Sequence, residues 1–169
     1  MRARVASAML FALPAAAEEA LTDLTTLPID PGRFEGGDLQ GSAGRILGLW
    51  DCRTCADPVF VLLNLDPAPP WLAAGVSIND PAERDRVRTG YCDPAWPVCE
   101  VSVDNLSDGR PALALHVVMP DPQLQVEERR IPVGTSELRI TAGAVDRDLA
   151  LRNLDAALDM ILPQLQAPR

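Results

Sequence analysis

The feature that most constrains this fold is an amphipathic helix pattern near the end of the chain. Large apolar residues recur there at spacings of three and four, and charged residues take the opposite side. Asp146 can cap the start of the helix, and Pro163 should end or kink it. Because so apolar a face must be buried, we expect the helix to cover a β-sheet, with a partner's groove as the alternative. The apolar positions are Leu151, Leu154, Leu158, Ile161, Leu162 and Leu165.

Upstream of this helix the pattern changes to period two, which is typical of β-strands. A shorter helix is expected to start at Asp80-Pro81 and to stop near Gly90. Together these patterns predict an α+β fold: an antiparallel sheet of about five or six strands with the C-terminal amphipathic helix packed on it and one short additional helix. The strands are predicted at Ile46–Cys52, Val59–Leu65, Val98–Asp104, Ala112–Met119, Leu124–Val133 and Leu138–Thr141.

Two of these strands differ in polarity and therefore in their expected position. Val59–Leu65 is nearly all apolar, which favours a central strand covered on both faces. Leu124–Val133 is polar and contains Pro132, which suits an edge strand because proline cannot donate to a ladder. On this interpretation Glu127 and Glu128 are solvated.

Residues 1–17 have the pattern of a cleaved bacterial signal peptide. Arg2 and Arg4 supply positive charge, Val5–Leu13 is a short apolar run, and Ala15–Ala17 provides small residues for cleavage. The run is shorter than the about 20 residues needed to cross a bilayer. We therefore predict cleavage after Ala17 and a periplasmic location. Neither a transmembrane segment nor a lipid anchor is predicted, since no cysteine stands at the cleavage site.

After the predicted leader, the composition divides the chain into an N-terminal segment and a domain. Residues 18–44 contain many glycines and prolines and little periodicity, which predicts an extended, partly ordered N-terminal segment. Residues 45–166 carry the predicted strands and helices. They are expected to form a single α+β domain.

The acidic charge narrows the range of partners. The formal net charge is −9 at pH 7, and because the leader holds two arginines and no acid, the exported chain carries −11. Nucleic acids and anionic membranes attract clustered basic residues, so neither is predicted as a partner. The densest basic run, Arg84, Arg86 and Arg88, alternates with acids and is interpreted as a solvated helix face.

The four cysteines are predicted to form structural disulfides, because an exported chain meets an oxidising compartment. Their positions favour two local bridges, Cys52 with Cys55 and Cys92 with Cys99. Pairing between the two clusters stays open, because longer loops constrain the unfolded chain more strongly. A zinc site is not predicted, since C-x2-C followed by C-x6-C departs from the usual spacing and export opposes it.

The first cysteine pair also raises a redox alternative. Trp50 and Arg53 beside Cys52 and Cys55 resemble the active site of the thioredoxin-like family, and Ile131-Pro132 is similar to its cis-proline position. That resemblance implies a thiol–disulfide oxidoreductase that uses Cys52 and Cys55. The chain departs from the family pattern, because Asp51 would raise a neighbouring thiol pKa and because turn and strand follow where thioredoxins have a helix. Membership is therefore not inferred.

No cofactor motif, metal site or catalytic constellation is recognisable elsewhere. The single histidine, His116, lies on a predicted strand without an accompanying G-x-S-x-G, and is interpreted as an ordinary strand residue. Trp71 and Trp96 stand beside prolines, and rigid loops that present an aromatic ring are common at binding surfaces, although each ring could instead fill the core beneath its loop. We predict a non-enzymatic accessory or binding protein of the periplasm, without a cofactor, that contacts a partner protein or envelope assembly.

Overall fold

The computed structural model describes residues 21–67, 79–120 and 123–166. The predicted leader, residues 1–17, lies outside them. Within the described residues the chain forms seven strands and two α-helices, besides 3-10 turns at Leu24–Thr26 and Pro31–Arg33. The strands are β1 (Gln40–Ala43), β2 (Leu47–Asp51), β3 (Val59–Pro67), β4 (Val98–Asn105), β5 (Pro111–Pro120), β6 (Gln123–Val133) and β7 (Ser136–Ala144), and the helices are α1 (Pro81–Tyr91) and α2 (Arg147–Gln166).

The strands form one antiparallel sheet in the order β1-β2-β3-β7-β6-β5-β4. Strands β1 to β3 pair with their neighbours in sequence, as do β4 to β7, and β3 joins the two series by pairing with β7. The antiparallel sheet and its C-terminal helix agree with the sequence prediction, but the described sheet has seven strands rather than five or six. The additional strand is β1, whose four residues, Gln-Gly-Ser-Ala, are too few and contain no large apolar side chain to carry a period-two signal.

The prediction of an edge strand at Leu124–Val133 is wrong. β6 pairs with β5 on one side and with β7 on the other, and the edges of the described sheet are β1 and β4. Pro132 lies beyond the last β5–β6 pair, Leu113 with Arg130, and so fits a central strand. Glu127 and Glu128 are 2% and 3% exposed rather than solvated. Buried carboxylates need partners, and here arginines supply them.

Helix α2 packs across β3, β7 and β6 and closes the main core. Leu63 of β3 and Ile140 of β7 are fully buried in one cluster with Leu154 of α2. Strand β3 is central, as predicted, but only one of its faces is fully covered, because alternate residues such as Leu62 are half-buried. None of the helices in the described part of the chain has the length and apolar character of a membrane span.

The ends of α2 match the sequence prediction at one terminus only. The Asp146 carboxylate accepts a hydrogen bond from the Asp148 N–H at 2.9 Å, which caps the start of the helix. Pro163 does not end the helix, which continues to Gln166. A proline this near the C-terminus removes a single backbone donor from the last turns, so the helix can persist around it.

Residues 21–39 add a layer to the same core. Leu21, Leu24, Leu27, Phe34 and Leu39 are all buried. The Leu24 N–H donates to the Arg45 carbonyl at 2.8 Å, which ties the segment to the start of β2. Leu21, Leu24 and Leu27 lie three residues apart, but only a 3-10 turn forms there, and Phe34 and Leu39 do not continue the spacing.

The opposite face of the sheet carries α1 over β4 and β5. The helix begins at Asp80, whose carboxylate accepts from the Ala82 N–H at 2.9 Å. Val87 and Tyr91 of α1 pack on a cluster of strand residues. That cluster comprises Leu113, Leu115, Val101 and Val103.

A buried polar network around Glu128 joins α1 to the sheet. Arg130 Nε donates to Glu128 Oε1 at 2.6 Å, and Thr141 Oγ1 donates to Oε2 at 3.0 Å. The Tyr91 hydroxyl donates to the same Oε2 at 3.4 Å, and the Arg130 guanidinium lies 5.0 Å from the Tyr91 ring centre. Burial, reinforced by the negative charge of Glu128, raises the pKa of Tyr91 to about 12. The Glu128 carboxylate is therefore engaged in holding two elements together.

Candidate functional site

Both cysteine pairs form local disulfides, Cys52–Cys55 and Cys92–Cys99. The cross-cluster pairing is thus not the one adopted. The first bridge closes the turn between β2 and β3. The second joins Cys92, at the C-terminal cap of α1, to Cys99 in β4, and so fastens the helix to the edge of the sheet.

The surroundings of Cys52–Cys55 differ from those of an activated thiol. The pair is followed by β3 from Val59 and does not begin a helix. Cys52 is buried, and the backbone of Gly37 packs so closely that a side-chain carbon there would overlap both sulfur atoms. The charge of Arg53 is shared with Asp51, with Nε and Oδ1 3.6 Å apart. Helix termini and unpaired positive charge are what acidify reactive thiols.

The two parts of the thioredoxin-like resemblance lie far apart. The sheet register places Asp51, beside Cys52, level with Phe60, Gly143 and Val126 on successive strands. Pro132 stands six positions farther along β6 than Val126, which is about 20 Å at 3.3 Å per residue. The proline and the disulfide are therefore at opposite ends of the sheet.

One of the two candidate tryptophans can be located. Trp96 is half-buried and meets the Tyr91 ring edge-on, with centres 5.9 Å apart. It packs with Val117, Val126 and Phe60 on the face that carries α1. Trp96 thus fills space beneath the Cys92–Cys99 loop. Trp71 lies outside the described residues.

An exposed apolar surface lies at the other end of that face. Ile46 is 59% exposed, Leu47 53% and Leu49 44%. Leu49 stands opposite the half-buried Leu62 of β3. We refer to Leu47 and Leu49, on one face of β2, together with Ile46 in the bend before the strand, as the sheet-end patch.

A concave site lies on the opposite face, where α2 stops short of β4. A cleft of about 540 Å³ separates the helix from the strand, and a second of about 140 Å³ continues it toward the start of α2. Asp104 and Arg129 line both, so we treat them as one site, the acidic groove. Its other lining residues include Leu106, Ser107, Asp155, Leu158, Asp159 and Leu162 in the larger cleft and Glu100, Ser102, His116, Glu127 and Arg147 in the smaller.

His116 occupies the smaller cleft of the groove. Its Nε2 is 3.1 Å from the Gln125 amide oxygen and 3.9 Å from Glu127 Oε1. Its Nδ1 is buried and faces Glu100 Oε2 at 3.6 Å, across the β4–β5 pair. The imidazole thus meets an amide and two carboxylates, and the hydrogen bond found for it goes to the amide rather than to a nucleophile.

Glu127 is the buried anchor of this cleft. Arg147 Nε, at the start of α2, donates to its Oε1 at 2.7 Å, and Arg129 Nη1 lies 3.7 Å from its Oε2. Arg129 Nη2 reaches Asp104 on β4 at 2.7 Å. These contacts link α2, β6 and β4 through alternating charges, which compensates the cost of burying the carboxylate.

The carboxylates of the larger cleft have fewer arginine partners than Glu127 has. Burial raises the pKa of Asp155, and the nearby charges of Asp159 and Glu127 raise it further, against the opposing influence of Arg129. Asp159 is 3.8 Å from Arg33, in an ion pair whose side chains are both well exposed. Negative charge at this end is therefore only partly neutralised.

Sequence reasoning placed His116 on a strand as an ordinary residue and did not predict its surroundings. The available signal was the two-residue period of β6, which places Glu127 and Arg129 on one face. Arg147 and Asp155 join them only through the docking of α2. No three His, Cys, Asp or Glu side chains within the described ranges are arranged to hold a metal ion. Comparison with protein-family models, curated proteins and solved structures finds no match for this chain.

Proposed function

We propose that this chain is an exported, periplasmic accessory protein of the bacterial envelope that binds a partner protein and catalyses no reaction. The leader pattern of residues 1–17 supports export. The two disulfides are compatible with an oxidising compartment. The sheet-end patch is the observation that carries the binding role.

Three large apolar side chains within four positions are unusual on a charged surface. Single exposed leucines are common, whereas contiguous apolar surface marks interaction sites. Trp50 on the same strand is 3% exposed, so β2 already satisfies the core with its other side. A one-residue shift of β2 would bury Leu47 and Leu49 but would expose Trp50. Their outward position therefore belongs to the register that the core requires.

The test is site-specific crosslinking in envelope extract. A photoreactive amino acid replaces Leu49 in one variant and Val145 in the control. Val145 is also apolar and 40% exposed, but it lies just before α2 rather than in the patch. We expect one protein to crosslink from position 49 and not from position 145, and to disappear when Leu47→Ser is added.

Two results would contradict the proposal. One is equal crosslinking from both positions, which indicates non-specific adhesion. The other is an unchanged product in the Leu47→Ser background. Surface substitutions of this kind change stability by within about 0.5 kcal/mol, so loss of the product would not reflect unfolding.

Thiol–disulfide exchange at Cys52 and Cys55 remains the alternative, and a redox titration with thiol labelling separates the two. We expect the bridge to stay closed down to below about −300 mV, as structural bridges do. A Cys52→Ser variant should keep its crosslinked partner. Opening at a mild potential, together with loss of the cellular phenotype in Cys52→Ser, would favour the enzyme instead.

A further inference from the structure

The acidic groove has the shape and polarity of a site for an elongated chain segment. It runs from the N-terminal end of α2 along β4 and comprises two adjoining clefts, with volumes of about 540 and 140 Å³. Leu158 and Leu162 form part of its helix wall, and Ser102 lines its strand side. Because Leu158 and Leu162 are only 8% and 4% exposed, the open surface of the groove is mostly polar and charged.

The charge of the groove is unbalanced. Five carboxylates line it, from Glu100, Asp104, Glu127, Asp155 and Asp159, against the guanidinium groups of Arg129 and Arg147. Arg33, outside the lining, reaches Asp159 across 3.8 Å. Even with that contact the negative groups exceed the positive ones by two.

The buried and exposed members of this set have different roles. Glu127 is already bonded to Arg147, and Asp104 to Arg129. Glu100, with a 72% exposed side chain, and the Asp155–Asp159 pair are left to face incoming charge. They stand at the two ends of the groove, so one occupant must extend along it to meet both.

We propose that the acidic groove binds a basic segment of a partner protein, in which Arg or Lys side chains recur along an extended backbone. The basic groups would pair with Glu100 at one end and with Asp155 and Asp159 at the other. Complementary charge across an interface steers encounter and suppresses wrong partners.

A second copy of this chain is a poor occupant for the same reason. Its formal charge is −9, so a symmetric contact at this groove would bring like charges together. The same negative charge would repel nucleic acid and anionic lipid.

The proposal does not rest on the sheet-end patch. The groove lies on the face of the sheet covered by α2, beside β4, whereas Leu47 and Leu49 of the patch lie on the other face, on β2. Variants in one surface leave the other intact, so each proposal can fail alone.

The test measures binding of a labelled peptide in which Arg alternates with Leu and Ser, by fluorescence anisotropy at low and physiological salt. The variant is Asp155→Asn with Asp159→Asn. The control is Asp38→Asn with Asp57→Asn, which removes the same charge from exposed positions outside the groove. We expect the groove variant to weaken binding about five- to tenfold at low salt and the control to change it by less than about twofold.

Ser107→Arg, at the exposed mouth of the larger cleft, provides a second test and should weaken binding as much as the double variant. The proposal is overturned if groove and control variants weaken binding equally, because the attraction is then only the net charge. It is also overturned if the peptide with Ser in place of Arg binds equally well. Self-association that the groove variant abolishes would instead assign the site to a second copy.

Discussion

The face of the sheet beneath α2 has two halves that differ sharply. Over β3 and β7, residues such as Val61, Leu63 and Ile140 are fully buried by the helix. Over β4 and β5, the residues at equivalent positions are Ser102 and His116, among others, and they face the acidic groove. The strands are continuous members of one sheet, so the difference lies in what covers them.

The position of α2 thus determines which part of the sheet face becomes buried core. α2 contacts β7, β6 and β3, and the polar positions begin where its cover ends. The boundary is occupied by Glu127 and Arg129, which carry charge but remain paired. The sheet edge left uncovered on this side is therefore polar, without any loss from the core.

The largest expected effect tests whether the two halves are packed differently. Leu154→Ala removes a fully buried side chain of α2 and should lower the free energy of unfolding by about 2–5 kcal/mol. Ser102→Val, in the groove half, should change it by within about 0.5 kcal/mol. Urea titration of the oxidised protein measures both. Comparable losses from the two variants would mean that the groove half is packed as tightly as the core.

The next effect tests whether the N-terminal segment belongs to the core half. Gly37 has φ +144° and lies against both sulfurs of Cys52–Cys55. Gly37→Ala should therefore cost about 1–3 kcal/mol from the backbone, with a further cost of overlap. Gly90→Ala, in α1 with open space around it, should stabilise by about 0.5–1 kcal/mol. Thermal melts compare the two variants. An unchanged melting temperature in Gly37→Ala would show that the N-terminal segment does not contribute to the stability of the core.

The boundary between the halves predicts a smaller asymmetry between two glutamates. Both face His116, but Glu127 is buried and Glu100 is exposed. Glu127→Ala leaves Arg129 and Arg147 without that partner and should cost about 1–3 kcal/mol. Glu100→Ala should leave stability nearly unchanged. If the two variants destabilise equally, Glu127 is not the anchor that the contacts indicate.

The smallest effect concerns Asp155 and has a defined pH dependence. Its pKa is raised above the ordinary value of 3.8, so the folded state binds this proton more tightly than the unfolded state does. Protonation of Asp155 therefore stabilises the folded state at a pH below its ordinary pKa. This stabilisation is lost as the pH rises through the raised pKa of the folded state. Asp155→Asn should therefore be slightly more stable than the parent at neutral pH and equal to it in acid. A loss of stability at neutral pH would contradict this assignment.

The sequence allowed the prediction of α2 and most strands because period and polarity are local properties. It failed for β6, where Glu127 and Glu128 indicated solvent but their arginine and threonine partners lie on other elements. Phe34 and Leu39 gave no signal, because irregular segments bury residues without a repeat. The groove could not be foreseen, since Asp155 and Asp104 come together only when α2 docks on the sheet.

The pairing of β3 with β7 has a kinetic consequence. Each of the other strand pairs links neighbours in sequence through a short or moderate connection, so hairpins can close quickly on either side. The β3–β7 seam alone must bring together segments separated by most of the domain, at a larger loop-closure cost. Until that seam closes, two half-sheets with open edges coexist in one molecule. This makes it the step at which the folding chain is most exposed to aggregation.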